Sequence, residues 1–175
     1  MRLRLTTFSL AVLAALAGCS EQGGRQAAGP KPGRAGDAEL AEAVITAPVP
    51  VGVMSVAAAR SSAKDGDNIV VFGRVKDFVD GAAVFTFVDR SLKDCKERGD
   101  GCPTPWDYCC ESKEALTSNS ATVKIVGKGT APIRAGAKGV GGIDHLVDVA
   151  AEGTARLDPL GNLAIEARKV YVAAP

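Results

Sequence analysis

A mainly β fold, a five-stranded Greek-key barrel over residues 55–175, is what this sequence predicts, and three observations carry the prediction. Runs of β-branched and aromatic residues recur between turn clusters at 69–75, 83–88, 121–126, 146–156 and 163–172. Their order is three strands, a glycine-rich connection and a terminal hairpin. The last run also changes phase: Leu163, Ile165 and Ala167 share one face while Val170 and Val172 fall on the other, as a bulge near Arg168 would require.

Ser55 is placed to cap a short alanine-rich helix over 56–63, which ends before the turn cluster Asp65, Gly66, Asp67, Asn68. Ile69 to Phe72 open the first strand; Gly73 interrupts it, marking a bulge or a sharp coil, before Arg74 and Val75. After the turn at Asp80 and Gly81, the second strand sets Phe85 and Phe87 on one face and Val84, Thr86 and Val88 on the other. Phe72, Phe85 and Phe87 are expected in the core. The third strand is followed by 127–145, rich in glycine, with room for one short helix. Residues 157–162 turn the fourth strand into the fifth. This is the strand order of an OB-fold, with a cysteine-rich loop between strands 2 and 3.

The N-terminus carries an address. Arg2 and Arg4 precede a short apolar core from Phe8 to Ala17, and Leu16, Ala17, Gly18 lead into Cys19. The pattern resembles the lipobox of bacterial lipoproteins, which implies a signal peptide over 1–18 and lipid on the Cys19 thiol. The apolar core is about half the roughly 20 residues a spanning helix needs. Ser20 in place of Asp after the cysteine leans, by the same resemblance, towards the outer membrane, with the domain facing the periplasm or the exterior. Residues 19–54 are expected to form a flexible membrane tether, poor in apolar period, with a short helix over 37–45 stopped by Pro48 and Pro50.

Charge narrows the function classes. The chain has 21 basic and 20 acidic residues, and loses two arginines with the signal. So even a balance argues against a dedicated nucleic-acid binder. Lys124, Lys128, Arg134 and Lys138 form an acid-free stretch, read here as a solvated face.

Cys95, Cys102, Cys109 and Cys110 all lie in the loop after the second strand. In an oxidising compartment, four cysteines so close read first as two disulfides. A bond between Cys109 and Cys110 would strain a vicinal ring, so Cys95 and Cys102 each take one of that pair, in either connectivity. Closing a loop of about 15 residues stabilises by roughly 3 kcal/mol in the chain-entropy account. The alternative is a thiolate site for zinc or monovalent copper, or thiol redox work. Asp107 is a candidate oxygen ligand, read first as a turn residue bonding nearby amides. No Cys-x-x-Cys occurs. Trp106, its backbone restricted by Pro103 and Pro105, and Tyr108 are candidate ligand contacts, set against simple packing of their rings.

The cluster Cys102, Pro103, Thr104, Pro105, Trp106, Asp107, Tyr108, Cys109, Cys110 is similar to one in uncharacterised exported proteins of planctomycete-type bacteria with OB-fold-like domains. That resemblance implies fold and location and brings no catalytic residue. His145, the single histidine, lies beside Asp144 without a Gly-x-Ser-x-Gly motif and reads as an exposed turn residue. Gly139, Gly141 and Gly142 lack the Lys-Ser/Thr ending of a P-loop. The sequence therefore predicts a non-enzymatic, lipid-anchored envelope module with no cofactor. Its expected partners are the membrane, through the lipid, and an envelope protein or small ligand.

Overall fold

The computed structural model describes residues 35–173; the signal peptide, Cys19 and the first part of the expected tether lie outside them. Within that range the fold is a closed five-stranded barrel with few helices. The elements, in order, are α1 (Ala35–Ala43), β1 (Val44–Thr46), β2 (Met54–Ser55), α2 (Val56–Ser62), β3 (Asn68–Val79), β4 (Val84–Val88), α3 (Cys95–Arg98), α4 (Lys113–Ser118), β5 (Ser120–Ile125), a 3-10 turn (Val140–Gly142), β6 (Asp148–Leu157) and β7 (Leu163–Val172). None of these helices is long and apolar enough to cross a membrane.

Strand pairing closes the ring. β3 pairs antiparallel with β4, β4 with β5, and β3 with β6, while β7 runs antiparallel to β6 and parallel to β5. That circuit is the OB-fold order read from the sequence. The alternation in β4 points Phe85 and Phe87 inward, where they meet Val71, Val75, Val123, Ile125 and Ile165 in one core. Phe72 departs from expectation: Val71, Gly73 and Val75 take the buried face of β3, so Phe72 faces outward and is half-buried.

Two glycines owe their place to close approach. A Cβ on Gly73 would fall 2.8 Å from the Phe87 ring and 2.8 Å from the Val88 carbonyl oxygen, so β3 keeps its coil against β4 only without one. The β3 bulge itself lies further on, at Lys76, which is the extra residue between the pairs Val75–Phe87 and Asp77–Thr86. In β7 the bulge falls at Arg168 as the phase change required, because Glu152 faces Lys169 while Gly153 faces Ala167. Gly153 sits across from that extra residue, where a Cβ would stand 2.1 Å from the Glu166 carbonyl oxygen.

The tether reading is corrected from Ala35 onwards. Leu40 of α1 is fully buried in the barrel core, and Val44 to Thr46 add a parallel strand to β7 opposite Val170 to Val172. Pairing with an existing edge supplies hydrogen bonds that a three-residue strand could not find alone. The folded unit thus begins at least twenty residues before Ser55. Ser55 caps α2 as expected, its hydroxyl accepting from the Ala58 amide at 3.2 Å.

Candidate functional site in the cysteine loop

The 31 residues from Asp89 to Asn119 leave the barrel between β4 and β5 and return to the same point, where the Asp89 amide donates to the Asn119 carbonyl at 2.8 Å. Two buried aspartates hold the departing chain. Asp89 accepts from the amides of Ala57 (2.8 Å) and Ser91 (3.0 Å), fastening the loop to the start of α2. Burial alone would raise its carboxyl; these amide bonds outweigh that and hold it below the usual carboxylate range. Asp94, fully buried, caps α3 by accepting from the Glu97 amide at 2.8 Å and pairs with Arg74 of β3 at 3.0 Å. Arg74 also reaches Asp148 at 2.9 Å and Glu97, so one guanidinium ties α3 to β3 and β6. Burial works against its charge, and the carboxylates around it more than restore it.

Further out, the loop folds back on itself. The amides of Cys95 and Lys96 donate to the carbonyls of Asp107 and Pro105, both at 2.9 Å, a short ladder that sets the start of α3 beside the Trp106 segment. Gly99, in the left-handed region at φ 73°, ends α3, and the Asp100 amide returns to the Cys95 carbonyl at 3.0 Å. Arg98 pairs with Glu111 across the loop, and Ser112 caps α4.

These bonds bring three sulfurs together. Cys109 Sγ stands 3.3 Å from Cys95 Sγ and 3.4 Å from Cys102 Sγ, and all three lie within 4.8 Å of one another. Cys95 is buried, Cys102 half-buried and Cys109 exposed. These sulfurs are unbridged, standing farther apart than the about 2.05 Å of a disulfide. Cys110 stands apart, 3.9 Å from Cys109, with its thiol donating to Asp100 Oδ2 at 3.2 Å.

The thiols are unequal. The hydrogen bond shared by Cys95 and Cys109 pulls the Cys95 pKa down and pushes Cys109 up to about 11. Cys102 is shifted upward as well: its own bond from Cys109 favours the thiolate, but Cys95 and burial outweigh it. Asp100, accepting its proton, holds Cys110 up to about 12. Cys95 is therefore the sulfur of the three whose thiolate the surroundings favour.

The aromatic residues divide. Tyr108 is 1% exposed and packs with Val88 and Leu92 in a small second core beneath the loop, so it has no face to offer a ligand. Its hydroxyl has no hydrogen-bond partner among the described residues, and burial raises its pKa well above the ordinary phenol value. Trp106 keeps 37% of its surface and stacks on His145, ring centroids 5.0 Å apart at 27°. His145 is half-buried and not the exposed turn residue expected: it also meets Phe78 edge-on at 5.1 Å. Its Nδ1 lies 2.6 Å from the Lys76 carbonyl, which makes Nδ1 the donor. Asp107 accepts from the Tyr108 amide at 2.7 Å, the turn role favoured above metal ligation.

A groove of about 520 Å³ runs over β4 and β5 between the α4 end of the loop and the 157–162 turn, lined by Arg60, Lys76, Thr86, Thr117, Thr122 and Asn162. Its cations are engaged: Arg60 donates to the Ser120 carbonyl at 3.2 Å and Lys76 pairs with Asp77. Lys138, from the acid-free stretch, pairs with Asp144 at 3.6 Å.

Sequence reasoning placed the four cysteines in one loop but missed Arg74, Asp89 and Asp94, which position them. One signal was present: Asp94, Cys95, Lys96, Glu97 has the spacing of a capping box.

No protein-family model and no curated protein matches the chain. Among solved structures it is similar to one described as an aspartyl-tRNA synthetase from Leishmania major Friedlin, at 12% identity and a TM-score of 0.44. The match covers 75% of this chain and 24% of that one. At that TM-score the likeness carries no argument about function.

Proposed function

We propose that this OB-fold domain is a non-enzymatic metal-binding module, anchored at the cell envelope through lipid on Cys19, which holds one soft d10 ion, monovalent copper or zinc, on the thiolates of Cys95, Cys102 and Cys109. The observation that carries the reading is the convergence on Cys109. Disulfides pair sulfurs two by two, whereas here one sulfur has two near neighbours at 3.3 and 3.4 Å. Thiolates bonded to a common zinc at about 2.3 Å stand roughly 3.7 Å apart in tetrahedral geometry. The Cys109–Cys95 and Cys109–Cys102 separations lie close to that spacing. Soft sulfur donors suit monovalent copper equally well. The residues fit the ion: the ligand set pairs one buried thiolate with two shallower ones on a loop fastened by Asp89, Asp94 and Arg74.

The anchor rests on the export signal alone. It places the thiols outside the cytoplasm, where a bound ion would protect them from oxidation.

Full-length protein, extracted in detergent and purified without oxygen, tests the metal site by native and denaturing mass measurement. One retained copper or zinc, with Cys95, Cys102 and Cys109 shielded from alkylation until the ion is chelated, is the expected result. Binding should strengthen as pH rises, because Cys102 and Cys109 must shed protons to coordinate. A metal-free chain four hydrogens lighter than its reduced form would instead establish two disulfides. The domain would then be a disulfide-braced interaction module presenting Trp106, the reading that the ladder between Cys95 and Asp107 next best supports.

A further inference from the structure

Cys110 has no place in the three-sulfur set, yet it adjoins it. Its sulfur is exposed and 3.9 Å from Cys109, the one ligand that touches both of the others. Resting on the metal reading above, we propose that the ion is monovalent copper and that Cys110 is its port, the thiol that takes copper from a donor and passes it inward through Cys109.

Coordination number favours copper. Zinc in a structural site takes four ligands, and Cys95, Cys102 and Cys109 are the three donors that converge among the described residues. Three soft sulfurs suit monovalent copper, which exchanges thiolates through sites of low coordination number. The depth gradient supplies direction, from exposed Cys110, through exposed Cys109, to half-buried Cys102 and buried Cys95.

The transfer balances without an electron. The Cys110 thiol releases its proton to Asp100 Oδ2, 3.2 Å away, and from there to water, as its sulfur bonds the incoming copper and the donor's ligand leaves. The Cys109 sulfur bonds next as its thiol proton goes to water; Cys102 and Cys95 bond in turn, each thiol giving its proton to water, and the bond to Cys110 breaks. Cys110 then takes a proton back while copper stays monovalent. Asp100 is the acceptor beside the port and orients the Cys110 side chain through their hydrogen bond. Its position is fixed by the Asp100 amide bond to the Cys95 carbonyl.

The test compares the reduced full-length chain with Cys110→Ser and Cys110→Ala under anaerobic conditions, following copper transfer from its coloured bicinchoninate complex by stopped flow. Both variants should end with the same single copper per chain at unchanged affinity, and take it up about tenfold more slowly or worse, since an adjacent relay ligand has been removed. Unchanged uptake overturns the port. Loss of the bound copper in the variants also overturns it, because Cys110 would then be a resident ligand. Zinc retention with no copper uptake by the unaltered chain overturns the copper assignment while sparing the metal site; no retention of either ion removes the site and the port together.

Discussion

The barrel and the cysteine loop are held by different physics. In the barrel, Phe85, Phe87, Val123 and Ile165 are buried among strands that satisfy one another's amides around a closed ring. The loop has a second, smaller core of Val88, Leu92 and Tyr108, and its order comes from Asp89, Asp94 and Glu111 holding specific amides and the cations of Arg74 and Arg98. Apolar burial is tolerant of small changes and distributed; polar anchoring concentrates the same task in few groups. A chemically adaptable segment can therefore sit on a rigid support and be altered without unfolding it.

The largest expected effect breaks the support. Gly153→Val forces a side chain into the Glu166 carbonyl at the β6–β7 bulge, and should cost more than about 4 kcal/mol, the range reserved for severe core or backbone conflicts. Thermal unfolding followed by circular dichroism should show a collapsed or absent transition, with barrel and loop lost together. Next comes Asp94→Ala, which removes the α3 cap and leaves Arg74 without its buried partner, at about 3 kcal/mol. Hydrogen exchange should rise in the amides of Cys95 to Arg98 while the main melting transition shifts little. A fall in barrel stability matching that of Gly153→Val would abolish the distinction between the regions.

The smallest effect concerns pH. The folded Asp89 carboxyl is held below the ordinary carboxylate range because amides of Ala57 and Ser91 favour the anion despite burial. Its contribution is thus complete above the unfolded value and is lost as pH falls through the lower folded one. Exchange at Ala57 and Ser91 should accelerate below about pH 4. In Asp89→Asn that acceleration should be absent, and its persistence would assign the acid sensitivity to another group.

This division also governs what could be read from the sequence. Period-two alternation imposes Phe85 and Phe87 on one face, and the break in alternation at Arg168 locates a bulge to the residue, because sheet geometry is written locally. Val44 to Thr46 were read as tether because three residues cannot declare a strand; pairing with β7 decides them. β3 runs on to Val79 past Lys76 and Asp77, whose polarity hides a bulged strand. In the loop the cysteines were conspicuous, but their grouping was not. Asp94 and Arg74 look like solvated charges until the fold places them within 3.0 Å, and Tyr108 looks like a surface aromatic until the loop closes over it.

The closing strand has a consequence in time. β7 pairs with β1, β5 and β6, joining Val44 to Val170 and Thr122 to Ala164. Contacts so distant along the chain cost loop entropy before they return any packing, which makes folding slow. Until Leu163–Val172 is available the ring stays open, with β5 and β6 each lacking a neighbour. A polypeptide with this order of assembly holds the edges of β5 and β6 unpaired, and so open to other strands, until residues 163–172 join them.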